Sequence, residues 1–140
     1  MDRNEQQGPT GGVTPHLSIA DRRGAEAIDF YTAAFGAREV HRMPSEDGRI
    51  MHSHLAVNGG SLMLHDEFPE YAGDQKSGPP EGVTLHLQVE DADSLWQQAV
   101  AAGASVVMPL EDQFWGDRYG VLKDPFGHRW SLGAPVQQQS

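Results

Sequence analysis

Seven histidines and no cysteine fall in a chain of 140 residues. Without thiols there is no disulfide, no thiolate nucleophile and no zinc site that depends on sulfur, so any bound metal has to be held by His, Asp, Glu or water. Several of the histidines, His16, His52, His54 and His86 among them, sit inside short runs rich in apolar and β-branched residues. There an imidazole can serve as a ligand, a base or a proton carrier near neutral pH. His52 and His54 are two residues apart and so share one face of a strand, where two imidazoles can titrate together or pass a proton. The plainer reading, a solvent-facing pair, is preferred, because Met51, Leu55 and Val57 occupy the other face and read as the buried one.

A second group of residues suits binding rather than proton transfer. In QFWGDRYG, Phe114, Trp115 and Tyr119 surround Gly116, with Asp117 and Arg118 between them. Aromatic faces offer stacking or a cation site, and the Tyr119 hydroxyl offers a hydrogen bond to a polar ligand. Packing of Trp115 over a pocket mouth or at a dimer contact accounts for it equally well. Trp130 reads as core or wall. Covalent hydrolysis is unsupported, because GHRWSL is not a GxSxG elbow and no Gly-rich phosphate loop follows a strand. Asp66, Glu67, Glu70 and Asp74 crowd a Pro/Gly-rich stretch and read as solvated, with no role.

Composition sets wider limits. A formal charge of −10 repels phosphate backbones, so nucleic acid is not an expected partner. Apolar runs such as residues 62–64 fall far short of the roughly 20 residues needed to cross a bilayer, and no membrane partner is expected. The first residues, MDRNEQQGPTGG, lack the basic start and apolar stretch of a secretion signal, which makes a cytoplasmic location the expectation.

The elements that must position these residues follow from periodicity and turn chemistry. Residues 13–19 read as a strand, and AEAIDFYTAAFG as a helix of about three turns that Gly36 stops. Strands follow in AREVHRM, RIMHSHLAV and SLMLHD, joined by turns at Asp47-Gly48 and at residues 58–60. Residues 67–82, with three prolines and three glycines, read as a linker or surface loop. The order then restarts: a strand in VTLHLQV, a helix in DADSLWQQAVAAG with Asp91 as N-cap and Gly103 as stop, and strands in ASVVMPL, DRYGVLK and HRWSLG. Two β-α-β-β-β units in tandem make an α+β chain, each unit having an apolar sheet face that it cannot cover alone. A ferredoxin-like sandwich is the competing arrangement. The expected boundaries are a flexible tail over 1–12, a single domain over 13–133 (unit one 13–66, linker 67–82, unit two 83–133), and a second flexible tail over 134–140.

With that order established, EAIDFYTAAFGA, DGRIMHSHL and above all DQFWGDRYGVLKDPFGHRWSL resemble the vicinal-oxygen-chelate superfamily of glyoxalase I, bleomycin-resistance proteins and extradiol dioxygenases, in its PhnB-like branch. The resemblance covers residues 13–133. It implies a cupped half-barrel, a small-molecule pocket lined by alternate strand residues, and a homodimer.

The resemblance also implies where a metal would sit. Metal-dependent members supply one ligand from the first and one from the last strand of each unit, and matching the flanking motifs puts these at His16, near Leu64, at Thr84 and at Ser131. Only His16 is a strong ligand, since leucine cannot coordinate and hydroxyls are poor substitutes for imidazole and carboxylate. His86, two residues past Thr84 on the same face, is a possible replacement, with His54 or Asp66 as a third group. Two functions follow. One is binding or sequestering a small organic ligand without a full metal site, through His16, His54, Thr84, His86, Trp115, Tyr119 and Ser131. The other is a glyoxalase- or dioxygenase-type enzyme in which His16 and His86 hold a divalent ion such as Zn, Ni, Fe or Mn.

Overall fold

The computed structural model describes residues 8–73, 76 and 78–137. Its elements run β1 (His16–Ile19), α1 (Gly24–Phe35), β2 (Arg38–Pro44), β3 (Ile50–Val57), β4 (Gly60–Asp66), a single 3-10 turn at Pro69–Tyr71, β5 (Thr84–Gln88), α2 (Ala92–Ala102), β6 (Ser105–Asp112), β7 (Asp117–Lys123) and β8 (Arg129–Pro135). The chain divides into two compact units, residues 1–32 with 36–78 and residues 33–35 with 79–140.

Each unit holds one open four-stranded sheet. The strand orders are β1-β4-β3-β2 and β5-β8-β7-β6, so both units follow the same plan. In each, the first strand pairs parallel with the last while the remaining pairs are antiparallel. A helix between the first two strands allows that parallel closure, which a hairpin cannot make. The expected turn chemistry holds. Gly36 ends α1 in the left-handed region at φ 70°, and Asn58 and Gly59 carry the two positive φ values, 48° and 78°, of a primed two-residue hairpin turn. Asp91 caps α2 by accepting from the Ser94 N–H at 3.0 Å.

Alternation along the strands separates a buried face from an open one. In unit one, Leu17, Ile19, Leu55, Val57, Leu62 and Leu64 are buried on one side of the sheet, together with Ile28 and Tyr31 of α1. Burying a leucine contributes roughly 1.5–3 kcal/mol. In unit two the buried set is Leu87, Leu122, Trp130, Leu132 and Ala134.

Two buried carboxylates act as struts in this framework. Asp66, 1% exposed, accepts from the backbone N–H of Gly24 at 2.7 Å and of Ile50 at 2.6 Å, tying the start of α1 and the start of β3 to the end of β4. In unit two, Asp124 accepts from the N–H of Phe126 and of His128 and from Trp130 Nε1, each at 2.9 Å, which fixes the DPFG turn and anchors the indole. The expectation that Asp66 is solvated, or spare as a metal ligand, is therefore corrected. Its oxygens are committed to backbone donors that would otherwise be buried without partners. Asp74 of the same acidic group lies outside the described residues.

Residues 1–7 and 138–140, which fall in the two expected tails, lie outside the described residues. The sheet extends past 133, because Arg118 and Asp117 at the start of β7 pair with Ala134 and Pro135.

Candidate functional site

The face of the first sheet opposite its leucines is a row of imidazoles. Register places His16 beside Met63 and Ser18 beside His65 across the β1/β4 pair, with Met63 in turn beside His54 of β3. Ser18 Oγ lies 3.1 Å from His65 Nε2, and His65 Nδ1 lies 2.8 Å from His16 Nε2, so hydroxyl and two rings form one hydrogen-bonded chain. The His52 ring stands edge-on to His16 with centroids 6.0 Å apart, and His41 lies 6.3 Å from His52. His41 reaches this face through a bulge: the pairing shifts between Glu39 and His41, which puts His41 opposite His54. An extra residue in one strand turns every later side chain to the other face.

Electrostatics favour the neutral form of two members of this row, His16 and His65. Burial pushes the His16 imidazole below its ordinary value, and the neighbouring His65 adds to that. Burial also lowers His65, with His52 acting in the same direction, against the opposing pull of Asp66 and Glu67. A chain of neutral imidazoles can pass a proton by exchanging tautomers, each ring accepting at one nitrogen and donating at the other.

The corresponding face of the second sheet is built differently. His86 of β5 lies beside Ser131 of β8, with Nδ1 2.7 Å from the serine hydroxyl and Nε2 2.8 Å from the Gln88 amide oxygen. With the amide oxygen as acceptor, Nε2 carries the proton and Ser131 donates to Nδ1, so the ring is fixed in one tautomer. Tyr119 of β7 stacks on His86 at 5.9 Å and 23°, and Trp115 meets Tyr119 edge-on at 5.8 Å. Gly133 lies under the imidazole: a Cβ there would come within 2.8 Å of His86 Cε1 and 2.9 Å of Gln88 Oε1. Trp115 is half-exposed and Phe114, beside it at the β6/β7 turn, is 96% exposed.

Of the residues expected from sequence, His86, Trp115, Tyr119 and Ser131 form one cluster in unit two, and Thr84 shares their sheet face, opposite Arg129. His16 and His54 share the imidazole face of unit one. Three readings are corrected. His54 is 1% exposed rather than solvent-facing, while Met51, taken as buried, is 51% exposed. The sheet is covered on both sides at His54, whereas near the start of β3 Ile50 is buried and only the side of Met51 is open. Leu64 lies on the leucine face, so the β4 residues that accompany His16 are Met63 and His65. His65, His41, Gln88 and Gly133 were missed. For His65 the signal was present, since a shift of one residue in β4 exchanges Leu64 for it.

A divalent ion of the kind the family resemblance implies does not fit these donors. The position beside His16 is Met63, Thr84 is a hydroxyl, and Ser131 is engaged by His86. Among the described residues no group of three or more His, Asp or Glu is arranged to hold a metal ion. No helix among them is long and apolar enough to cross a membrane.

Known proteins share this architecture. The chain is 47% identical over 145 residues to the uncharacterized protein Rv0887c of Mycobacterium tuberculosis H37Rv, an alignment covering 96% of this chain and 84% of that one. It is 27% identical to TioX from Micromonospora sp. ML1, with a TM-score of 0.66 over 89% of this chain and all of that one. The PhnB protein from Bacillus cereus, at 21% identity, shares the fold with a TM-score of 0.69 over 89% of this chain and 99% of that one. A family model matches residues 14–132. On that match and the twice-repeated sheet order, the chain belongs to the glyoxalase/bleomycin resistance protein/dioxygenase superfamily.

Proposed function

We propose that this protein binds a small planar organic molecule on the second sheet, and that binding rather than metal-assisted turnover is its activity. The observation that carries the reading is the His86, Tyr119 and Trp115 assembly, two ring contacts in sequence ending in a half-exposed indole. Aromatic surfaces of this kind hold a flat ligand by stacking, and the locked His86 with Ser131 and Gln88 supplies the few polar groups that orient it. Sequestration of an organic compound needs nothing more.

Of Trp96, Trp115 and Trp130, Trp115 belongs to this surface, so a ligand-dependent change in emission that disappears in Trp115→Phe reports on it. Titration with a panel of heteroaromatic compounds is expected to give a saturable change for at least one member. The Tyr119→Leu protein, which keeps Trp115 as reporter, is expected to bind that member about tenfold more weakly, as the loss of one aromatic contact implies. His65→Ala is expected to leave binding unchanged. No saturable response from any compound, or equal affinity in Tyr119→Leu, defeats the reading.

The metal-dependent alternative makes an opposing prediction. If His16 and His86 hold an ion, protein purified without chelator carries stoichiometric metal that His16→Ala and His86→Ala each strip. The donor set described above supports the expectation that metal content is the same, and low, in all three.

Within the same reading the protein is a homodimer. Strand β6 lies at the edge of its sheet and leaves Val106, Val107 and Met108 36–51% exposed in succession, an open apolar edge of the kind that chains cover by association. Val107→Lys is expected to shift the sedimentation coefficient from dimer to monomer. A wild-type monomer at all concentrations contradicts this.

A further inference from the structure

The hydrogen-bonded chain on the first sheet has the layout of a nucleophile, its base and a group that orients the base. Ser18 Oγ lies 3.1 Å from His65 Nε2, and His65 Nδ1 lies 2.8 Å from His16 Nε2. Over distances of this size a serine gives up its proton in acyl transfer, and a third group bonded to the far nitrogen of the base fixes its tautomer. Such an arrangement is recognised by geometry and not by order in the chain. His16 and Ser18 come from β1 and His65 from the end of β4, so no linear motif marks it.

The hydroxyl sets the direction of the chain. Ser18 Oγ has no other hydrogen-bond partner among the described residues, so its proton is directed at His65 Nε2. His65 then carries its own proton on Nδ1, donates it to His16 Nε2, and keeps Nε2 as the acceptor that a general base needs.

Exposure separates this serine from its counterpart. Unit two repeats the three-part layout, with His86 Nδ1 2.7 Å from Ser131 Oγ and Nε2 2.8 Å from Gln88 Oε1, but Ser131 is only 2% exposed. Ser18 is partly exposed, beside an exposed His16. A substrate can reach the first hydroxyl and not the second.

One backbone donor adjoins the exposed serine. β1 is the edge strand of its sheet, and the Met63 N–H donates to the Pro15 carbonyl and the Glu67 N–H to the Ile19 carbonyl. Alternate residues of a parallel strand bond the same neighbour, so the odd-numbered residues face β4 and the Ser18 N–H is aimed away from it, at the sheet edge. There it can donate to the oxygen that gains charge when Ser18 attacks a carbonyl. A single donor stabilises less charge than a pair, which favours substrates whose leaving group is itself a stable anion.

We propose that Ser18 is the nucleophile of an acyl-transfer site on unit one, with His65 as its base and His16 as the positioning residue behind it, and that the site takes activated esters such as aryl esters. The Ser18 Oγ–carbon bond forms as the hydroxyl proton passes to His65 Nε2. The bond from that carbon to the leaving oxygen then breaks, and the phenol departs with the proton. Water repeats the step: it gives its proton to His65 and bonds to the acyl carbon, the acyl–Ser18 bond breaks, the carboxylic acid leaves, and Ser18 takes the proton back.

The test treats the intact chain with diisopropyl fluorophosphate, which a nucleophilic serine attacks at phosphorus with loss of fluoride, and maps the adduct by peptide mass spectrometry. A stoichiometric adduct on Ser18 is expected. In parallel, p-nitrophenyl acetate hydrolysis is expected to fall about 10²–10⁴-fold in Ser18→Ala and in His65→Gln, and to be unchanged in Ser131→Ala. His16→Leu should slow it about tenfold, and His16→Gln, which restores an acceptor to His65 Nδ1–H, should recover most of that loss. Labelling of the unmodified sequence decides the matter even if a variant fails to fold. An adduct confined to other residues, or hydrolysis undiminished in Ser18→Ala, would overturn the proposal. Tyr119 and Trp115 play no part in either signal, so failure here leaves the planar-ligand reading standing, and the converse holds.

Discussion

The third residue of β1 and the third residue of β5 make the same cross-strand contact with the residue types exchanged. In unit one the serine is on the first strand and the histidine on the last, Ser18 with His65. In unit two the histidine comes first, His86 with Ser131. The sheets agree in strand order and in the parallel pairing that creates the contact, and they diverge one neighbour further out. His65 hands its second nitrogen to His16 and opens a row of imidazoles, whereas His86 hands its second nitrogen to an amide and lays its face against Tyr119. One repeated strand order thus carries two different side-chain arrangements, a row of imidazoles on one sheet and an imidazole with aromatic rings on the other, and the planar-ligand proposal rests on the second alone.

The comparison is broken most severely at the buried struts. Asp66→Ala leaves the Gly24 and Ile50 N–H groups without partners, and a loss of about 3 kcal/mol in urea unfolding is expected at one to two kcal/mol per orphaned donor. Asp124→Ala should cost a similar amount, since unit two relies on its carboxylate in the same way. Next comes Gly133→Ala, where the new methyl meets His86 and Gln88. About 2 kcal/mol of overpacking is expected, along with a displaced His86 ring seen by NMR and weaker ligand binding, while the His16/His65 contact stays intact. A smaller effect, about 1.4 kcal/mol of binding free energy for the tenfold weakening, is expected for Tyr119→Leu.

The smallest effect sharpens the contrast through pH. His16 and His65 titrate below the ordinary value of 6.5 when folded. Between that value and the lowered one the unfolded chain binds protons that the folded chain refuses, so stability present above 6.5 is lost as pH falls through the folded values. Urea midpoints should therefore decline from about pH 7 to about pH 5, and the His16→Gln/His65→Gln double variant should flatten that decline. An unchanged slope in the double variant would mean that the imidazole row contributes nothing to it.

Much of this was legible in the sequence because it is written in local signals. Gly36, Asn58-Gly59 and the Asp91 cap set the element ends within a residue or two, and alternation in RIMHSHLAV separated Leu55 and Val57 from the histidines correctly. What local signals cannot carry is which residues meet across strands. The bulge in β2 that turns His41 onto the histidine face has no marker in AREVHRM, and a one-residue register error in β4 hid His65 behind Leu64. Asp66 read as one more acid beside a Pro/Gly-rich loop, because nothing in the linear order shows two backbone donors converging on it. The clustering of Trp115, Tyr119, His86 and Ser131 was the easiest to anticipate, since Trp115 and Tyr119 are near neighbours in the chain and only His86 and Ser131 had to be brought to them.

The most direct test maps the tightest compound of the heteroaromatic panel onto the backbone amides by NMR. The account predicts that the largest shifts fall on Trp115, Tyr119, His86 and Ser131 in β5, β7, β8 and the turn before β7. Shifts confined to His16, His52 and His65 would contradict it and make the imidazole row the binding surface.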